Sequence, residues 1–175
     1  LADLVIRNCT NETYEEAGGA LRIVGGSLIV QSVWFEDNQA SGDGGAMAAD
    51  SAVLQLTDCV FTGNLGEDGG AVFITNGTSL AISGGLFENN GAVIDTGGSG
   101  DPNHGGGIAQ TSNSGLLQIS NCILRNNTAL NNGGALSVNG ECEIVDSTIC
   151  GNSLDQFRGS WTDNGGNCVT DVCDS

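Results

Sequence analysis

The sequence predicts an all-β fold: a right-handed single-stranded parallel β-helix of about six to seven coils, closed by a disulfide-bearing C-terminal cap. Two observations carry this. Three sequence features recur together roughly every 25 to 26 residues, and no stretch between them is long enough for an amphipathic helix.

The first feature is an alternating apolar pair: Leu28/Val30, Leu54/Leu56, Leu80/Ile82, Leu117/Ile119 and Cys142/Ile144, at steps of 26, 26, 37 and 25. Leu4/Ile6 reads as a weaker copy ahead of them. Alternation over a few residues marks a short strand with one buried face. The second is an apolar residue followed three positions later by Asn: Phe35…Asn38, Phe61…Asn64, Phe87…Asn90, Leu124…Asn127 and Ile149…Asn152, at the same steps. Two features that share even the odd step belong to one repeating unit. The third is Gly-Gly-Ala, beginning at Gly18, Gly44, Gly69 and Gly133, with degenerate versions at Gly105-Gly106-Gly107 and Gly165-Gly166-Asn167. Paired glycines let the backbone turn through positive φ before the next strand.

Stacking like on like buries each short strand, with coils spaced by the inter-strand distance of ~4.8 Å. Phe35, Phe61 and Phe87 then form an internal stack continued by Leu124 and Ile149. Asn38, Asn64, Asn90, Asn127 and Asn152 form a structural ladder of amides at a corner. Cys9, Cys59 and Cys122 fall in another inward column with Val33, Gly85 and Ser147; two coils or more apart, they are too distant to bridge and read as small buried hydrophobes. Residues 1–152 are thus β-helix repeats with an inserted loop at 91–104, and residues 153–175 are the last coil and cysteine-containing cap.

The formal net charge is −17, with no Lys and only Arg7, Arg22, Arg125 and Arg158 as cations. Such a surface repels nucleic acid and anionic lipid, and no apolar run is long enough to span a membrane as a helix. No signal peptide is evident; the chain opens on the strand-like Leu4-Val5-Ile6, as a mature product or a piece of something longer. Seven cysteines leave at least one unpaired within the chain. Four crowd the C-terminal third, which predicts a stapled end and an oxidising, extracellular or cell-surface setting. Cys150–Cys173 is the first candidate pair and Cys142–Cys168 the second. The glycosylation sequons at Asn8, Asn11, Asn76 and Asn126 carry little information in so Asn-rich a chain.

The tandem Gly-Gly-Ala and Phe-x-x-Asn motifs over residues 28–152 resemble the repeats of the polymorphic outer membrane protein family, found in autotransporter passenger domains. The resemblance implies a β-helix, the pectin-lyase-like solenoid, and adhesion at a cell surface. No membrane barrel follows here, and the tail from Cys150 to Cys173 departs from the repeat.

Between ladder Asn and glycine pair, two coils take a long route, Asn90 to Gly105 and Asn152 to Gly165, so two loops are expected to leave one corner. The first loop offers Asp95, Asp101 and Asn103, oxygen donors that suit calcium, and the sole histidine, His104. The second holds Arg158 and Trp161. These two residues and His104 are candidate glycan or partner contacts; Trp161 reads otherwise as a cap over the last coil. The column Asp43, Asp68, His104, Asn132 and Asn164, with Glu16 and Glu67 beside it, reads as turn chemistry or a weak cation site. Trp34, Val60, Leu86, Ile123 and Thr148 alternate with the Phe stack and therefore face out, as a lateral contact stripe or the seat of a covering loop.

With the enzyme and lattice readings weak on residues, the expectation is a non-catalytic extracellular structural module, adhesive as the resemblance implies. Its expected partners are other subunits or further repeats of the same chain; it requires no cofactor. The alternatives are a carbohydrate-active enzyme or glycan-binding module at the two-loop corner, and an ice- or crystal-binding protein. Lyases of acidic sugars need more cations than this chain has, hydrolases need clustered carboxylates, and the outward column Gln31, Thr57, Ser83, Ser120, Val145 is irregular for a lattice.

Overall fold

The computed structural model describes residues 1–13, 17–93 and 104–173. Every strand among them pairs in parallel, in four sheets of seven, five, six and six strands, with no helix. Each circuit of the chain adds one strand to each sheet, except that the last skips sheet II, which makes a parallel β-solenoid. Sheet I contains β1 (Val5–Arg7), β5 (Trp34–Glu36), β9 (Val60–Thr62), β13 (Leu86–Glu88), β17 (Ile123–Arg125), β21 (Thr148–Cys150) and β24 (Cys168–Thr170). Sheet II contains the two-residue strands β2 (Thr10–Asn11), β6 (Gln39–Ala40), β10 (Leu65–Gly66), β14 (Gly91–Ala92) and β18 (Thr128–Ala129). Sheet III contains β3 (Leu21–Val24), β7 (Met47–Asp50), β11 (Val72–Thr75), β15 (Ile108–Gln110), β19 (Leu136–Val138) and β22 (Phe157–Arg158). Sheet IV contains β4 (Ser27–Gln31), β8 (Val53–Thr57), β12 (Ser79–Ser83), β16 (Leu117–Ser120), β20 (Cys142–Val145) and β23 (Thr162–Asp163).

The register is the one the periodicity implies. Leu54, Leu80, Leu117 and Cys142 are stacked partners in sheet IV, as are Phe35, Phe61, Phe87, Leu124 and Ile149 in sheet I. The three phenyl rings lie parallel, centroids 4.8 and 4.7 Å apart. That separation is imposed by the strand spacing, and it is also the one at which rings make close van der Waals contact. With the aliphatic columns of sheets III and IV they form one continuous core.

At the corner after sheet I the amides form the expected ladder. Each Asn donates from Nδ2 and from its backbone N–H to the Oδ1 of the Asn one coil on: Asn38 to Asn64, Asn64 to Asn90, Asn90 to Asn127, and Asn127 to Asn152, at 2.8–3.1 Å. Nδ2 also reaches back to a carbonyl one coil earlier, Phe35 O for Asn64 and Phe61 O for Asn90. A fully buried amide column is thereby satisfied with no solvent. The glycine pairs have two separate reasons to be glycine. The first member takes a left-handed φ, +62° at Gly69, while the second passes so close to the next coil that a Cβ on Gly70 would collide with the Gly106 carbonyl.

Several expectations are corrected by the register. Cys9 belongs to the ladder column: its N–H donates to Asn38 Oδ1 at 3.0 Å, a separation of 29 residues rather than 26. Asn11 aligns with Ala40, yet Gly18 follows it by seven positions where Gly44 follows Ala40 by four; these three extra residues shifted the count. Likewise Ile6 pairs with Phe35, so Leu4/Ile6 lies in sheet I and is no copy of the sheet IV pair. The inserted segment starts later than residue 91, because Gly91–Ala92 is strand β14 and Val93 N–H still bonds Gly66 O. The second loop is not an insertion at all. Phe157 pairs with Leu136 and Ile144 with Asp163, so residues 153–164 trace a shortened coil. Gly165-Gly166 turns the chain from sheet IV to sheet I, with Gly166 lying against Asp146, and does not repeat Gly-Gly-Ala. Asn164 consequently leaves the Asp43 column and sits at the end of sheet IV.

Candidate functional site

Three surfaces gather the residues singled out above. The first is the corner between sheets II and III. Asp43 Oδ1 accepts the Asp68 N–H at 3.1 Å and Asp68 Oδ1 accepts the His104 N–H at 2.7 Å, while Glu67 is buried beside them. His104 bridges in parallel to Asn132. Carboxylates favour such turns because they accept from the backbone, but stacking them is unfavourable. Burial first, then the charges of Asp68 and Glu67, push the Asp43 carboxyl up to about 7. His104 is only 3% exposed, packed into the corner by the coil, so it is withdrawn from the surface contact the sequence suggested. Asp95, Asp101, Asn103 and Glu16 lie outside the described residues. Among the described residues no three His, Cys, Asp or Glu side chains come together as a metal site.

The second surface is the outer face of sheet I. Trp34, Val60, Leu86, Ile123 and Thr148 are stacked partners, and Trp34 and Ile123 remain 53% and 42% exposed. No described segment covers them to the depth of a core. Beside this stripe runs the column Glu36, Thr62, Glu88, Arg125 and Cys150, where Arg125 Nε pairs with Glu88 Oε1 at 2.7 Å.

The third is the last coil. Cys150 and Cys173 form a disulfide with Cα atoms 5.0 Å apart, which ties the tail to β21. Cys142 and Cys168 do not pair: Cys142 points into the core of sheet IV, whereas Cys168 faces out from sheet I. Cys9, Cys59 and Cys122 are also free thiols. Burial pushes the thiols of Cys59 and Cys122 up, and that of Cys142 up to about 12, with Glu143 adding to it, so all three are poor nucleophiles. Because Glu143 pairs with Thr162, Trp161 falls on the inward column of Leu117 and Cys142, and its ring stacks on Phe157 at 4.9 Å. Both rings pack against the end of the core, so Trp161 is a cap, as one reading of the sequence has it. Arg158 stands on the outer face of sheet III beside Ser137. It shares the last coil with Trp161, whereas His104 is two coils away, so the three do not form one site.

A feature that the motif reading missed is a second set of rungs. Gly85 N–H donates to Cys122 Sγ, Cys122 N–H to Ser147 Oγ and Ser147 N–H to Asn167 Oδ1. Its chemically mixed acceptors hid it from motif searching. On the outside of sheet IV, Gln55, Ser83, Gln118, Ser120 and Glu143 line a shallow trough of about 350 Å³ with one carboxylate. Comparison with known protein families, curated proteins and solved structures finds no match.

Proposed function

We propose that this chain is a non-catalytic structural or adhesive module of a larger extracellular assembly, built as a right-handed β-helix. Parallel strands joined by crossovers are right-handed in nearly all proteins, which supports the handedness. The disulfide is compatible with an oxidising, extracellular setting. The observation that carries the proposal is the apolar stripe of sheet I. A Trp and an Ile more than a third exposed, joined through Val60 and Leu86 on one rigid face, form a contiguous hydrophobic strip of the kind that marks a protein contact. The surrounding negative charge disfavours non-specific association and leaves this strip as the place where contact costs least.

Sedimentation velocity over a wide concentration range tests this. The chain should associate, and Trp34→Lys with Leu86→Lys should abolish the association while leaving the thermal melt cooperative. A monomer at every concentration, or association untouched by both charges, contradicts the stripe as a contact surface.

A further inference from the structure

Gln110 breaks the rule of its column. Its stacked neighbours on the inner face of sheet III are Ala49, Ile74 and Val138, all apolar, yet Gln110 is 1% exposed. Its Nε2 is fully used, donating to Gly115 O at 2.8 Å and Glu141 O at 3.1 Å. Its Oε1 is buried and has no hydrogen-bond partner among the described residues. An acceptor buried without a donor is destabilising and calls for an explanation. The amide lies directly behind Gly140: a Cβ there would sit 2.9 Å from Nε2 and 3.5 Å from Oε1. Gly140 in turn lines a cleft of about 410 Å³ whose other walls include Trp161, Glu141, Glu143, Ser160 and Thr162.

We propose that this cleft binds one pyranose ring of a non-anionic glycan. The indole, backed by Phe157, offers a rigid apolar plane for the C–H face of a sugar. Glu141 and Glu143 are acceptors, Ser160 and Thr162 both donate and accept, and the buried Gln110 amide stands behind the Gly140 wall, which it holds in place. A ligand rich in hydroxyl donors satisfies that set; a uronate or sialic acid meets two carboxylates and an overall charge of −17. The site is separate from the sheet I stripe, so either proposal can fail alone.

Trp161 becomes the sole indole in a Trp34→Phe background, and its fluorescence is titrated with cellohexaose, mannohexaose, N-acetylchitohexaose and hexagalacturonate. At least one of the three uncharged oligomers should give a saturable change, with hexagalacturonate giving none. Calorimetry with that same oligomer should show about a tenfold loss of affinity in Glu141→Ala, whose side chain is exposed and whose removal spares the fold. Trp161→Ala should lose about as much; should it unseat the cap, the Glu141 variant decides. No saturable change with any uncharged oligomer, binding undiminished in Glu141→Ala, or equal binding of hexagalacturonate overturns the assignment.

Discussion

Two corners of this solenoid stack polar side chains coil upon coil, and they behave in opposite ways. At the corner after sheet I, amides stack. Each has two donors and an acceptor, so every rung satisfies the one before it and the column is fully buried at no electrostatic cost. At the corner between sheets II and III, carboxylates stack. Each accepts a backbone N–H, but in the other axial direction: Asp43 takes its bond from the coil after it, whereas Asn38 gives its bond to the coil after it. A carboxylate has no donor to pass along, so charge accumulates at Asp43, Glu67 and Asp68 and is relieved by holding a proton near neutral pH. The lesson is that a solenoid repeats any side chain it can place, but repeats without penalty only those that both give and accept.

The largest effect that sharpens this contrast is Asn64→Ala. It strands Asn38 N–H and removes one bond each from Asn38 Nδ2, which keeps Ile6 O, from Asn90 Oδ1, which keeps the residue-64 N–H, and from Phe35 O, and should destabilise the fold by about 4 kcal/mol, read from urea unfolding. A melt unchanged by it contradicts the ladder's role.

Next is the acid corner itself. Because the folded Asp43 pKa is raised above its unfolded value, the associated stability is present in full below pH ~4 and is lost as pH climbs to about 7. The loss is bounded by about 4 kcal/mol and reduced by the partial exposure of the carboxyl. Asp43→Asn keeps the acceptor for Asp68 N–H and removes the charge. It should flatten the pH dependence of the urea midpoint between pH 4 and 7 and raise the midpoint at pH 8.

Asn152→Ala, at the last rung, strands Asn127 N–H and removes the Nδ2 bonds to Leu124 O, Cys150 O and Gln156 Oε1, but Asn152 and Gln156 are partly open to water, which can replace some of these bonds. Its cost should be about 2 kcal/mol, roughly half that of the central rung; equal costs would mean the rungs are not coupled. The smallest change is Glu67→Gln, which removes the weakest of the influences that raise the Asp43 carboxyl and should move the Asp43 titration, followed by carboxyl NMR, slightly down.

The columns of identical residues were legible in the sequence because identity at a fixed step is what stacking selects. Phe35, Phe61 and Phe87, and the five ladder amides, could be placed without coordinates. What could not be placed follows from one ambiguity. Several corners of each coil need a left-handed residue: Gly69 at +62° before sheet III, but also Asp58 at +50°, Gly84 at +69° and Gly166 at +70° between sheets IV and I. A glycine pair therefore does not say which corner it turns, and Gly165-Gly166 resembles the Gly-Gly-Ala turn while turning the corner between sheets IV and I. Cys9 failed for a related reason, since three extra residues in one turn are invisible when the residue beyond them no longer matches its column. The cleft at Trp161 was only half legible. The indole stood out, but Glu141 is 20 positions earlier in the chain and nothing in the repeat marks it.

The ladder has one more consequence, and it concerns length. A central rung meets the same partners whichever coil it occupies, so none of its bonds reports how many coils lie on either side. Duplicating or deleting one 25–26-residue unit changes the distance between the two ends by ~4.8 Å and leaves every remaining rung in the surroundings it already had. The molecule is in that sense a ruler graduated in coils, on which the spacing between a surface near one end and a surface near the other can be reset in fixed increments without redesigning either.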